Sequence, residues 1–181
     1  MWLEIRRKLV HKFVGVLFAL APFFISPREV VLAAVIFSVF AILMYWMPKV
    51  AHLTQMSDRH TFGAVWHTLG IALTAYVFLP EEVMAYVFGI MVLTFSDSAA
   101  ALIGKRFGRA QFRVLGYVKS IEGSLAFFVV TAFLFYVFQP EASVFQIITL
   151  SVLLTNVELF SVWGVDNFTL PPLAAALFML V

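Results

Sequence analysis

The sequence predicts an all-α, polytopic membrane protein: one integral membrane domain over residues 1–181, with about seven transmembrane or partly inserted helices. Three observations carry that reading. Hydrophobic residues make up 63% of the chain and charged residues only 12%, where a soluble domain holds roughly 25% charged residues. Apolar runs of helical length alternate with short turns marked by Pro, Gly or charge. The basic residues fall almost entirely at alternate turns.

Taken in order, Met1 to Lys12 is an amphipathic opening in which Glu4, Lys8 and His11 share one helical face. Its plain reading is a basic surface helix with Trp2 at the interface. Phe13 to Ile25 is the first span, marginal in length unless the opening helix runs into it. No small-residue cleavage site ends this run, so a removable leader is not expected. Val30 to Met47 is the second span, ended by Pro48, and residues 49–60 form a polar loop with Lys49, His52, Asp58, Arg59 and His60. Phe62 to Leu79 is the third span, with His67 in its first turns, and Met84 to Phe107 is the fourth. A basic loop then leads to Lys119. Ser120 opens the fifth helix, which runs to Phe138, and Val144 to Phe160 is the sixth. A loop with Trp163, Gly164, Asp166 and Asn167 passes through Pro171 and Pro172 into a last run ending at Val181, too short to cross comfortably.

Counting loops alternately puts Arg6, Arg7, Lys8, Lys12, Lys49, Arg59, Lys105, Arg106, Arg109, Arg113 and Lys119 on one side and Arg28 alone on the other. The positive-inside rule makes the rich side, with the N-terminus, cytoplasmic. In a prokaryote the membrane would be the inner one. The absence of cysteine excludes disulfides, thiolate nucleophiles and Cys-ligated metal. No nucleic-acid partner is expected, and the oligomeric state is not legible.

The same topology gathers the unusual polar residues at cytoplasmic depth, in and around the stretch Phe95–Leu125, FSDSAAALIGKRFGRAQFRVLGYVKSIEGSL. Asp97 lies inside an apolar helix, where an ionised carboxylate costs about 2.5–3.5 kcal/mol and calls for a polar cavity or a cation. A buried helix–helix hydrogen bond is the bland alternative. Gly104 and Gly108, with Ala101, read as a close-packing face. In Lys119-Ser120-Ile121-Glu122-Gly123-Ser124, Ser120 is a natural N-cap and Glu122 complements the positive helix end. Free amides there, a Gly for close approach and an adjacent Lys make an anion site. Glu158, Asp166 and Asn167, together with Asp97 and Glu122, suit a hard cation such as Mg²⁺, which takes one or two carboxylates plus substrate phosphates. A solvated loop with side-chain turns is the alternative at 158–167.

At these residues the chain resembles the CTP-dependent lipid-alcohol kinases, the family of dolichol kinase, phytol kinase and CTP-dependent diacylglycerol kinase. Three blocks carry the resemblance: Arg7-Lys8-x-x-His11; Asp97-Ser98-Ala99-Ala100-Ala101 through Gly104-Lys105-Arg106-Phe107-Gly108 to Lys119-Ser120-x-Glu122-Gly123-Ser124; and Glu158, Ser161, Gly164-x-Asp166-Asn167 and Pro171. The Lys119-Ser120-x-Glu122-Gly123-Ser124 and Gly164-x-Asp166-Asn167 groups are fairly specific, and the first block is weak alone. Ser96 departs from the Gly that precedes the aspartate in many members, which bears on local backbone geometry. Without the extra spans of dolichol kinases, the chain looks closer to small prokaryotic phytol-kinase-like members. The resemblance implies transfer of the γ-phosphoryl of CTP to a membrane alcohol (phytol or geranylgeraniol, a polyprenol, or diacylglycerol). It implies nucleotide contacts from Lys105, Arg106, Arg109, Lys119, Ser120, Gly123 and Ser124. Mg²⁺ would be held by Asp97, Glu122 and Asp166, supported by Asn167 and Glu158. The alcohol proton would go to a carboxylate or to His11.

Two rivals differ in testable ways. A membrane cytidylyltransferase resembling CDP-diacylglycerol or CDP-archaeol synthases would also use CTP and Mg²⁺ but release pyrophosphate. A small transporter would need polar groups through the midplane, and here they collect on one side.

Overall fold

The computed structural model describes residues 2–47 and 63–181, with side chains from residue 10 onward except Tyr45. Lys49, His52, Asp58, Arg59 and His60 lie outside the described residues, as do the side chains of Arg6, Arg7 and Lys8. Seven helices form among the described residues: α1 Trp2–Leu20, α2 Pro27–Trp46, α3 Gly63–Phe78, α4 Val83–Phe107, α5 Ile121–Phe138, α6 Val144–Phe160 and α7 Asp166–Phe178. The architecture is all-α with one small hairpin, β1 Gln111–Val114 and β2 Tyr117–Ser120.

Local chemistry sets the boundaries. The amphipathic opening and the first span are one helix, α1, which resolves the marginal length of the latter. Ser26 caps α2 and Ser143 caps α6, each through a reciprocal capping box, with Glu29 and Gln146 as third residues. Ser120 caps α5 by accepting from Gly123 N–H at 3.1 Å. The last helix departs from expectation. It begins at Asp166, ahead of Pro171 and Pro172, rather than after them. The prolines cannot donate to the carbonyls of Asn167 and Phe168. α3 closes on that gap: a Cβ on Gly70 would collide with the Asn167 carbonyl oxygen and lie 3.0 Å from Phe168 Cα.

α4 is the central element. Of its apolar 18-residue window 61% is buried, against 17% of the corresponding window in α2 and 28% in α5. One core cluster packs Phe18, Val30, Ala34, Ile71, Ala75, Tyr86 and Ile90 from α1–α4. The other packs Phe88, Phe127, Phe135, Leu154, Leu170 and Phe178 from α4–α7. Outside them, α2 exposes Leu32, Val35, Ile36, Val39, Phe40 and Leu43, and α5 exposes Leu125, Val129, Phe133 and Val137. Apolar belts of that size have no place in water and fit a bilayer. Among the described residues three helices, α2, α4 and α5, are long and apolar enough to cross one, and the protein is an integral membrane protein.

Bonds between helix ends agree with alternating spans. At one end Gln139 Nε2 donates to Phe178 O at 3.2 Å, joining the end of α5 to the end of α7. At the other, Lys119 before α5 meets Glu158 near the end of α6, and His11 meets Asn167 in the first turn of α7.

Candidate active site

Inside α4 the helix widens into a π-turn over Val92–Ser96, where Asp97 N–H donates to Val92 O five residues back. One extra residue in a helix rotates everything after it by about 100°. That rotation sets the direction of Asp97 and of the small-residue face behind it. Thr94 and Ser96 stay satisfied indoors: Thr94 Oγ1 donates to Ile90 O at 2.6 Å, and Thr131 Oγ1 donates to Ser96 Oγ at 2.9 Å. Nothing in the hydropathy pattern marks this turn, although Ser96, the departure from family pattern, lies within it.

The basic segment expected as a loop is in fact the β1–β2 hairpin, pairing Gln111 with Ser120, Phe112 with Lys119, Arg113 with Val118 and Val114 with Tyr117. Leu115 and Gly116 form its two-residue turn, with φ of 48° and 87°. β2 runs directly into the α5 cap at Ser120, so the hairpin delivers Lys119 to a fixed position.

Between α4, the hairpin, α5 and the end of α6 lies a cavity of about 500 Å³. Asp97, Ala100, Ala101, Gly104 and Lys105 line it from α4; Gln111, Tyr117, Val118 and Lys119 from the hairpin; Ser120, Gly123 and Ser124 from the start of α5; and Glu158 from α6. Asp97 is 6% exposed. Lys119 Nζ donates to Glu158 Oε1 at 2.6 Å and to the Glu158 carbonyl at 2.7 Å. Glu158 Oε2 is buried with no hydrogen-bond partner among the described residues. A secluded ion pair with an unsatisfied oxygen is poor for stability and marks a place where another ligand is expected.

Other expected residues take different places. Two amides at the α5 start are already engaged: Ile121 N–H donates to Ala110 O at 3.0 Å and Gly123 N–H to Ser120 Oγ. The positive end of the α5 dipole and the neighbouring Lys119 remain as the attraction for an anion there. Gly123 lines the cavity, but its missing side chain is explained by packing: a Cβ would lie 3.0 Å from Ala100 O and 3.2 Å from Gly104 Cα. Glu122 is not among the cavity-lining residues. Its Oε1 accepts from Arg109 N–H at 2.9 Å and Ala110 N–H at 3.1 Å, clamping the approach to the hairpin. Arg106 and Arg109 are exposed and do not line the cavity, and the Arg106 guanidinium lies 5.4 Å from the Phe107 ring centre.

His11, Asp166 and Asn167 are not among the cavity-lining residues either. His11 Nε2 is 3.1 Å from Asn167 Oδ1, and the His11 and His67 rings lie 3.5 Å apart. Among the described residues no three His, Asp or Glu side chains gather as a ready metal centre. Gln111 and Tyr117 are cavity residues the sequence reading missed. The available signal was the alternation around Leu115-Gly116, a hairpin pattern.

Comparison with known proteins follows the same lines. The chain is 34% identical to a phytol kinase of Synechocystis over 176 residues, covering 93% of this chain and 75% of the relative. It is 30% identical to the CTP-dependent diacylglycerol kinase 1 of Saccharomyces cerevisiae over 163 residues, covering 75% of this chain and 54% of that protein. An uncharacterised protein of Methanocaldococcus jannaschii is 28% identical over 151 residues, 78% of this chain and 76% of its own. No family model matches the chain, and no solved structure matches it. With the helical membrane fold and the segment from Asp97 to Glu158 assembled around one cavity, the similarity to phytol kinase over nearly the whole chain is decisive: the chain belongs to the CTP-dependent lipid kinase family.

Proposed function

We propose that the protein transfers the γ-phosphoryl group of CTP to the hydroxyl of a membrane lipid alcohol, with Mg²⁺, at the cytoplasmic face. The observation that carries this reading is one cavity lined by Lys119 and two buried carboxylates, Asp97 and Glu158, at the basic end of the bundle, with Lys119 paired to Glu158. The named relatives support the donor and the acceptor class: one is a phytol kinase, another a CTP-dependent diacylglycerol kinase.

In the reaction the alcohol oxygen bonds to the γ-phosphorus, and the bond from that phosphorus to the β–γ bridging oxygen breaks. CDP leaves, and the hydroxyl proton passes to a carboxylate. Such transfers need positioning and charge neutralisation more than covalent chemistry. Lys119 and the exposed Lys105 are the cations lining the cavity. Mg²⁺ fits as an ion shared with substrate phosphates, since that mode takes only one or two protein carboxylates. Asp97 and the unpartnered Oε2 of Glu158 would hold it. Bound there, it would neutralise charge on the transferring group. Glu122, Asp166 and Asn167 then serve the frame: Glu122 through the hairpin, the other two through the start of α7.

The test is incubation with γ-labelled CTP, Mg²⁺ and a set of long-chain alcohols. Label in the lipid supports the kinase. Label in pyrophosphate alone means cytidylyl transfer and overturns the proposal.

A further inference from the structure

Beside the polar cavity lies an apolar groove of about 410 Å³, walled by Phe112 of β1, Leu125 and Phe128 of α5, and Val152 and Leu159 of α6. Thr155 and Asn156 also border it, but their donors are engaged within α6. Thr155 Oγ1 donates to Ser151 O at 2.7 Å and Asn156 Nδ2 to Val152 O at 2.8 Å. The groove therefore presents a mainly apolar wall, with its Thr155 and Asn156 side chains already bonded back to their own helix.

The partition between the two compartments is one residue thick. Gln111, Ser120 and Glu158 line the polar cavity, while their immediate neighbours Phe112, Ile121 and Leu159 line the groove. Ser124 lines both. Leu125, next to Ser124, is exposed on the outer surface of α5, so the groove reaches the belt that fits the bilayer. A polar chamber joined through a serine to a lipid-facing apolar slot matches an amphiphile with a small polar head and one long chain.

We propose that this groove between α5, α6 and the hairpin receives the apolar chain of the lipid alcohol, bringing its hydroxyl into the polar cavity at Ser124. The identity of the head group rests on the kinase reading; the groove itself is tested without turnover.

The first experiment uses the wild-type protein in bilayers with a long-chain isoprenoid alcohol carrying a photoreactive group along its chain, without nucleotide. Adducts on Phe112, Leu125, Phe128 or Leu159 are expected, with competition by unlabelled alcohol. Adducts spread over the α2 belt with none in the groove would overturn the proposal. The second uses Leu125→Trp and Leu159→Trp, which fill the groove. The KM for the long-chain alcohol should rise about tenfold, the effect of roughly two methylenes denied burial. The KM for CTP and the turnover of a short soluble alcohol should stay at wild-type values. Unchanged long-chain KM in both variants would sink it. Groove adducts without phosphoryl transfer would fail the kinase reading alone, whereas transfer with adducts elsewhere would fail the groove alone.

Discussion

Lys119 is held to Glu158 twice, through the side-chain oxygen at 2.6 Å and the main-chain carbonyl at 2.7 Å, so the hairpin is tied to the end of α6 by one ammonium group. The carbonyl is the last-turn acceptor of a helix, where a cation is favoured by the dipole. The same ammonium is the cation that nucleotide phosphates would meet in the cavity. Its side chain is 18% exposed and that of Glu158 8%, so removing one partner leaves the other in a low-dielectric place.

Lys119→Ala should therefore act on both stability and nucleotide use. The loss of folding stability is expected at about 3 kcal/mol or more, as for a buried pair broken on one side. Adding Glu158→Gln should recover most of the thermal stability in detergent but not the KM for CTP. A double variant with wild-type nucleotide kinetics would remove Lys119 from phosphate binding.

Asp97→Asn keeps shape and removes charge. Turnover is expected to fall at least about a hundredfold, the scale on which preorganised electrostatic groups act, while the protein remains extractable and folded by melting. Full activity in this variant would take Asp97 out of the metal site and out of proton transfer.

His11 contacts Asn167 and the His67 ring. His11→Ala should lower kcat while leaving the KM for CTP within about twofold, a loss of transition-state geometry without loss of ground-state nucleotide binding. A large rise in the CTP KM would instead put His11 on the nucleotide.

How much was legible follows from which forces act locally. Ser120 as the α5 cap, the bounds of α6 and the membrane class could be read because capping and hydropathy are short-range signals. The packing role of Gly104 and Gly108 was legible from spacing. In the structure a Cβ on Gly104 would lie 3.0 Å from Ser120 Oγ, and one on Gly108 2.8 Å from Ser120 Cβ. The joining of Lys119 to Glu158 was not legible, since nothing local connects residues 39 apart. Nor was the π-turn, which changes hydrogen-bond register without changing composition. Nor was the clamp made by Glu122, whose Oε1 accepts from the Arg109 and Ala110 amides thirteen and twelve residues back, a contact that exists only in the folded chain.

The hairpin turn offers a test that is independent of chemistry. Leu115 has φ of 48°, a left-handed conformation that costs a non-glycine residue roughly 1–2 kcal/mol. Its side chain is 71% exposed, so little packing offsets that cost. Asn is the residue best suited to this position before Gly in a two-residue hairpin turn. Leu115→Asn should raise stability by about 0.5–1 kcal/mol, seen as a melting temperature higher by roughly 1–4 °C for a chain of this size. Because the hairpin positions Lys119, the KM for CTP should hold or fall slightly. A lower melting temperature would mean that Leu115 is packed against something, the bilayer surface being the first suspect, and the same measurement in lipid nanodiscs against detergent would tell.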